Sequence, residues 1–230
     1  MTSSSKPDSN RPIRSYVIRS GRFTTSQRTA IEQHWVEYGI DYDAAPLPLE
    51  EIFPGGTRLI VEIGFGMGDS LLQMAREQPA SSFIGIDVHR PGVGKLLHGI
   101  AEHGLTNLRI ICHDAQEVLQ HCFDSASIDR LLIFFPDPWP KKRHHKRRLL
   151  QSGFAELASA KLKAGGTIHL ATDWQAYAEH MMDVLEGIDM LENAEGSNCY
   201  WECPIRSATK FSRRGQKLGH DVWDLLFRKR

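Results

Sequence analysis

The side chains best suited to chemistry in this chain are one acid, Asp137, and one indole, Trp139. Both sit among prolines in the stretch 134–148, FFPDPWPKKRHHKRR. A mostly apolar run, 128–135, stops at that turn, and six Lys/Arg with two His follow within eight residues. A buried strand that ends in a carboxylate and an aromatic, then opens onto a cationic surface, fits chemistry on a base of a nucleic acid. A second stretch, 62–68, reads EIGFGMG and spaces Gly64, Gly66 and Gly68 two apart. Glycines in a strand-to-helix turn let the backbone bend sharply and approach a ligand closely. Asp87 closes the next apolar run nineteen residues after Gly68. An acid there accepts hydrogen bonds from ribose hydroxyls.

The same residues discriminate between nucleotide cofactors. The glycine spacing is GxGxG rather than the GxGxxG of dinucleotide sites. Asp69 stands where a pyrophosphate needs a helix N-terminus free of negative charge. Glu62 adds an acid just before the loop, and Asp114 ends a third apolar run. S-adenosylmethionine carries an ammonium and a sulfonium but no phosphate, so acids suit it, and Asp114 can reach an adenine amino group. Asp114 before Ala115-Gln116-Glu117 also reads as a helix cap. A nicotinamide-dependent dehydrogenase is therefore the weaker reading.

Strand-like runs at 58–63, 82–87, 108–113, 128–134 and 167–171 alternate with helix-like stretches at 69–78, 93–103, 115–121 and 146–163. A further helix is expected over 174–185. This alternation predicts an α/β fold: a mostly parallel sheet with helices on both faces. Upstream, residues 24–26 offer caps for a helix over 27–38, and the proline-rich 41–56 reads as a connector. The tail predicts an antiparallel pair, 198–205 with 221–227. In domain terms this gives a disordered tail over 1–12, a helical extension and connector over 13–56, and the catalytic domain over 57–230. Composition is that of a globular protein: 230 residues, 41% hydrophobic, 24% charged and zero net charge. No apolar run approaches a membrane span, and the polar N-terminus lacks a signal-peptide core, which predicts a cytoplasmic protein. Cys199 and Cys203, four apart, do not match metal-ligand spacing, so no metal is expected.

In order, VEIGFGMGDS, GIDVHRPG, FFPDPWPKKRHHKRR, ATDW and TKFSRRGQKLGHDVWDL resemble the motifs of the bacterial tRNA (guanine-N7)-methyltransferase family. The likeness runs from about Arg14 to the C-terminus. It implies a Rossmann-like class I fold, S-adenosylmethionine as donor, and a guanine in the tRNA variable loop as acceptor. Carried over motif by motif, it implies Glu62, Gly64, Gly66, Gly68, Asp87, Asp114 and Asp137 around the donor. Lys141, Asp173, Thr209, Lys210, Phe211 and Ser212 would lie at the acceptor, and Arg143, His144, His145, Lys146, Arg147 and Arg148 along the RNA. Asp87 stands where the family often has Glu, and a shorter carboxylate still reaches ribose. Ser212 stands where it commonly has Glu. A carboxylate that could accept from guanine N1–H and N2–H is absent there, so more of that recognition passes to Asp173.

Guanine N7 has a lone pair and no proton, so in-line transfer needs no prior deprotonation, only alignment and exclusion of water. A carboxylate at Asp137 would stabilise the cationic product base. Trp139 either stacks on a base or packs as a shield over the turn. If residues 146–148 open a helix, their charges oppose its macrodipole by ~0.3–1 kcal/mol each, a cost that a bound phosphate relieves. Trp174 reads as core at a helix start. Two further alternatives are methylation of an exocyclic amine, since Pro-Asp-Pro-Trp is similar to the acid–Pro–Pro–aromatic turn of amino-methyltransferases, and a non-catalytic RNA-binding module.

Overall fold

Short, continuously apolar segments pair side by side, because parallel strands covered on both faces must be apolar throughout. The computed structural model describes residues 14–16, 23–55, 58–202 and 221–230. Its strands are β1 (Gly39–Ile40), β2 (Arg58–Ile63), β3 (Ser81–Ile86), β4 (Leu108–Ile111), β5 (Ile128–Phe134), β6 (Leu162–Thr172), β7 (Leu191–Asn193) and β8 (Trp223–Lys229). They form one sheet in the order β1-β4-β3-β2-β5-β6-β8-β7. The first six run parallel, and β8 runs antiparallel to both β6 and β7. Strand order reverses between β2 and β5, so the crevice at the carboxyl edge opens there.

The helices are α1 (Thr25–Tyr38), α2 (Leu49–Ile52), α3 (Asp69–Glu77), α4 (Arg90–His103), α5 (Ala115–Cys122), α6 (Ser152–Lys161) and α7 (Gln175–Glu186). Successive strand residues face opposite sides: Ile60 joins a core with Leu71, Leu97 and Ile100 of α3 and α4, whereas Val61 joins one with Leu119, Ala158 and Met181 of α5, α6 and α7. α1 starts with a capping box in which Gln27 N–H donates to Thr24 Oγ1 (3.3 Å) and Thr24 N–H to Gln27 Oε1 (3.0 Å).

Four expectations need correction. The single helix over 146–163 is instead a 3₁₀ turn, Lys142–Arg147, followed by α6. Arg148 and Leu150 are drawn inward between them, which interrupts the helix and removes the argument from cations at its N-terminus. The tail strand β8 forms its ladders with β6 and β7; of the expected partner 198–205, the described residues contribute one backbone bond, Trp201 N–H to Asp224 O (2.8 Å). Residues 198–202 are not strand, Asn198 lies at φ +57, and 203–205 fall outside the described residues. The connector 41–56 contains α2, and β1 adds an edge strand beside β4. Trp174 is 42% exposed rather than core. Residues 1–12, expected to be disordered, lie outside the described residues.

Candidate active site

Five acids stand at or just beyond the carboxyl ends of five adjacent strands. In sheet order they are Asp114 after β4, Asp87 after β3, Glu62 in β2, Asp137 after β5 and Asp173 after β6. Adjacent strands lie ~4.8 Å apart, so the row spans about 19 Å, enough for a nucleoside donor at one end and an acceptor base at the other. Glu62 and Asp137 flank the point where strand order reverses.

The glycine loop is built as its sequence requires. Gly64, Gly66 and Gly68 all take left-handed φ (+74°, +60° and +77°), a region that disfavours other residues. Gly66 N–H donates to Asp87 Oδ2 (2.8 Å), and His89 N–H donates to Asp87 Oδ1 (2.8 Å). An ionised carboxylate has about four acceptor positions, so Asp87 keeps capacity for ribose hydroxyls. Burial pushes its carboxyl above the usual range, against the pull of those backbone N–H groups. Gly92, in the first turn of α4, completes the loop. A Cβ there would stand 1.7 Å from Gly66 O, so the loop seats on α4 only because residue 92 has no side chain. Sequence reasoning did not single out Gly92; its one signal was a glycine following Pro91 at a helix start.

Glu62 is the least settled group in the site. It is 3% exposed, and its Oε2 finds no hydrogen-bond partner among the described residues. Burial, then the neighbouring Asp87, pushes its carboxyl up to about 8. A buried carboxylate oxygen left over in this way fits a cationic ligand. Lys95 pairs with Asp69, so Asp69 by itself does not exclude a pyrophosphate. The case against a dinucleotide rests on Glu62. Asp114 accepts from Gln116 N–H (2.9 Å), so it is the α5 cap and still lies in the row.

Asp137 is exposed at the turn after β5. Two bulky residues bracket it in the left-handed region, Phe135 at φ +52 and Trp139 at φ +45. Such conformations cost ~1–3 kcal/mol each and persist where surrounding structure dictates them, commonly at functional sites. What dictates Trp139 is visible. Its Nε1–H donates to Ser15 O (3.1 Å), Arg147 lies 4.9 Å over the ring, and His144 meets it edge-on. Trp139 is therefore a packed shield rather than a stacking surface. The contact with Ser15, far upstream, had no sequence signal.

The basic run divides. Lys141, Lys142, Arg143 and Lys146 are exposed, and His145 is half-buried. His144 is half-buried too; burial, then Arg143, Arg147 and Lys141, hold it below the usual histidine value. Arg148 departs from the expected RNA contact. It is 4% exposed, its Nε donates to Pro138 O (3.0 Å), its Nη1 donates to Ala176 O (3.4 Å), and it lies over the Tyr177 ring. It points inward because these acceptors and the ring lie beneath the turn, so it supports the loop that carries Asp137. Asp173 is exposed beyond β6. Thr209, Lys210, Phe211 and Ser212 lie outside the described residues. No group of His, Cys, Asp or Glu among the described residues could hold a metal ion, and no helix there is long and apolar enough to cross a membrane.

This sheet order, with a glycine loop and acids along the carboxyl edge, defines a methyltransferase of the Rossmann-like class I fold. Solved structures agree on the fold. The 16S rRNA methyltransferase KamB matches with a TM-score of 0.59 at 15% identity, over 79% of this chain and 92% of that one. A 16S rRNA (adenine(1408)-N(1))-methyltransferase from Catenulisporales acidiphilia matches with a TM-score of 0.55 at 16% identity, over 83% and 92%. A family model described as "Putative methyltransferase" matches residues 57–225. A curated tRNA (guanine-N(7)-)-methyltransferase of Yersinia pestis (strain Pestoides F) is 50% identical over 96% of this chain and 92% of its own length. One from Shewanella baltica (strain OS195) is 51% identical over 94% and 92%. The chain belongs to the tRNA (guanine-N7)-methyltransferase family.

Proposed function

We propose that this protein methylates N7 of a guanine in the variable loop of tRNA, using S-adenosylmethionine, and that it acts in the cytoplasm, where tRNA is found. The observation that carries the reading is Asp137, exposed at the strand-order reversal between the orphaned Glu62 and a cationic turn. The activity for which the curated relatives are named supports the same reaction.

S-adenosylmethionine, when bound, supplies an electrophilic methyl group on a sulfonium. Glu62 would face its positive charge, Asp87 would accept from the ribose hydroxyls, and Asp114 would accept from the adenine amino group. The backbone of Gly64, Gly66 and Gly68 lets the ligand approach without side-chain obstruction. Asp173 and Lys141 stand beside the acceptor guanine, and residues 209–212 are assigned to the same task. Guanine N7 carries a lone pair and no proton, so the residues here need only align it with the methyl group, whose bonding pair would stay on the departing thioether sulfur. Asp137 stabilises the positive charge that develops on the base, a role that a fixed carboxylate fills without reorganisation. Lys142, Arg143 and Lys146, with His144 and His145 as polar neighbours and Arg147 held over Trp139, follow the phosphate backbone.

The test is methyl transfer from labelled S-adenosylmethionine to unmodified tRNA transcripts, followed by nucleoside analysis. Label in 7-methylguanosine, lost when the variable-loop guanine is replaced, is the expected result. Label in an exocyclic-amine product overturns the N7 assignment. tRNA binding without donor binding leaves only an RNA-binding module.

A further inference from the structure

Three large apolar side chains are exposed among the described residues: Val36, Trp174 and Met190. Val36 precedes β1, and Met190 follows α7, so both stand toward the amino edge of the sheet. Trp174 alone stands at the carboxyl edge, one residue after Asp173. Its spacing is that of a core position, since Tyr177, Ala178 and Met181 of α7 are buried on the matching face. Yet the indole remains 42% exposed. The cause is local. Trp174 is the N-cap of α7, in extended conformation (φ −118°, ψ 102°), which turns its side chain away from the helix face. The backbone there is clamped from both sides. Trp174 N–H donates to Thr172 Oγ1 (3.2 Å), and Trp174 O accepts from Tyr177 N–H (2.9 Å) and Ala178 N–H (3.0 Å). An isolated exposed indole by itself calls for no partner; what sets this one apart is a fixed backbone at the carboxyl edge, directly beside Asp173.

We infer that Trp174 is the stacking platform for the acceptor guanine. The inference rests on the methyltransferase reading above and adds the residue that holds the face of the base. An unstacked base is recognised through its edge and its face together. Asp173 offers an acceptor for the edge, and the adjacent indole offers a π-surface. Trp139, the indole of the Asp137 turn, is taken up by Ser15, Arg147 and His144. Arg148 ties the basic turn to the first turn of α7 through Ala176 O, so the exposed cations lie beside the platform and place the strand that delivers the base. Stacking on a side chain changes affinity by about 5- to 150-fold per base.

The experiment compares full-length wild type with W174A, W174F and W174L. It reads the KM for tRNA, donor Kd, and the fluorescence of tRNA carrying 2-aminopurine in place of the acceptor guanine. W174A is expected to raise the tRNA KM about 5- to 150-fold and leave donor Kd within about twofold. W174F is expected to restore most of the affinity, and wild type and W174F to quench the probe while W174A and W174L do not. Leucine fills volume without a π-face, so W174L decides the matter should W174A fail to fold. A W174A or W174L enzyme that quenches and binds tRNA like wild type overturns the inference. So does an equal loss of donor and tRNA binding in W174A and W174F, which marks a structural role. Wild type that makes 7-methylguanosine, with W174A unchanged, removes only the platform. Wild type that makes none removes the proposed function, and the platform falls with it.

Discussion

Glu62 shows how a single buried carboxyl can oppose stability in the service of binding. Its folded value of about 8 lies above the ordinary 4.5. Below 4.5 both the folded and unfolded states are protonated, and the group contributes nothing. As pH rises from there toward 8, the unfolded chain ionises and the folded one does not, so the ligand-free protein loses stability across that window. Glu62→Gln keeps the shape and removes the penalty. Denaturant titrations without ligand are expected to show the variant gaining on wild type between about pH 5 and about pH 8, while donor affinity at about pH 8 falls at least tenfold. A variant with unchanged donor affinity removes Glu62 from the site. At Asp137 the expectation differs, because its charge matters most as the methyl moves. Asp137→Ala is expected to lower kcat by about 10²–10³ with a much smaller change in donor Kd, measured by single-turnover transfer and calorimetry. Of the acids, Asp87, Asp114 and Asp137 were legible because each follows an apolar run. That Glu62 Oε2 has no partner among the described residues was not, since burial of that atom depends on neighbouring strands.

Elements hold these residues through contacts that a local pattern cannot show. α4 approaches the glycine loop so closely that a methyl group at Gly92 would overlap Gly66 O. Gly92→Ala is expected to displace the loop, weaken donor binding by more than tenfold and lower the melting temperature, as read by calorimetry; normal donor binding in the variant would show that the loop can retreat. Arg148 is the counterpart under the proline turn. Arg148→Lys keeps the charge but loses the planar contact with Tyr177 and the fork of donors to Pro138 O and Ala176 O. Hydrogen bonds from a charged group contribute ~1.5–3 kcal/mol, so reduced stability and reduced kcat are expected together, with the salt dependence of tRNA binding unchanged. If that salt dependence weakens instead, Arg148 touches phosphate. In sequence, Arg148 is the last of six similar cations, and nothing in the run marks it as the one turned inward.

At the scale of the whole molecule, charge is a matter of placement. Net charge is zero, yet Lys141, Lys142, Arg143 and Lys146 are exposed together beside the strand-order reversal. Four phosphate contacts predict that log affinity for tRNA falls with log salt at a slope of about −3 to −4. A flat response in filter-binding titrations would remove the cationic turn from the RNA interface. The last strand also completes this edge: β8 runs antiparallel beside β6, with Trp223 opposite Thr172, next to Asp173.

By itself the sequence determined the α/β class, the five central strands, the glycine loop and the acids that close strands, because each of these is a local pattern of apolar runs punctuated by turn and cap residues. It also determined the family, through motifs distributed along nearly the whole chain. Only the tertiary structure decided that the basic run breaks into a 3₁₀ turn with Arg148 inside, that Trp139 packs while Trp174 is exposed, that β8 pairs with β6 and β7, and that Gly92 seats the loop. Each of these depends on residues distant in sequence meeting in space: Ser15 with Trp139, Pro138 and Ala176 with Arg148, Thr172 with the backbone of Trp174 at a strand-to-helix junction, Gly66 with Gly92. Local periodicity carries no record of such meetings, since the same spacing that buries Tyr177 leaves Trp174 exposed once the backbone at the helix cap turns outward.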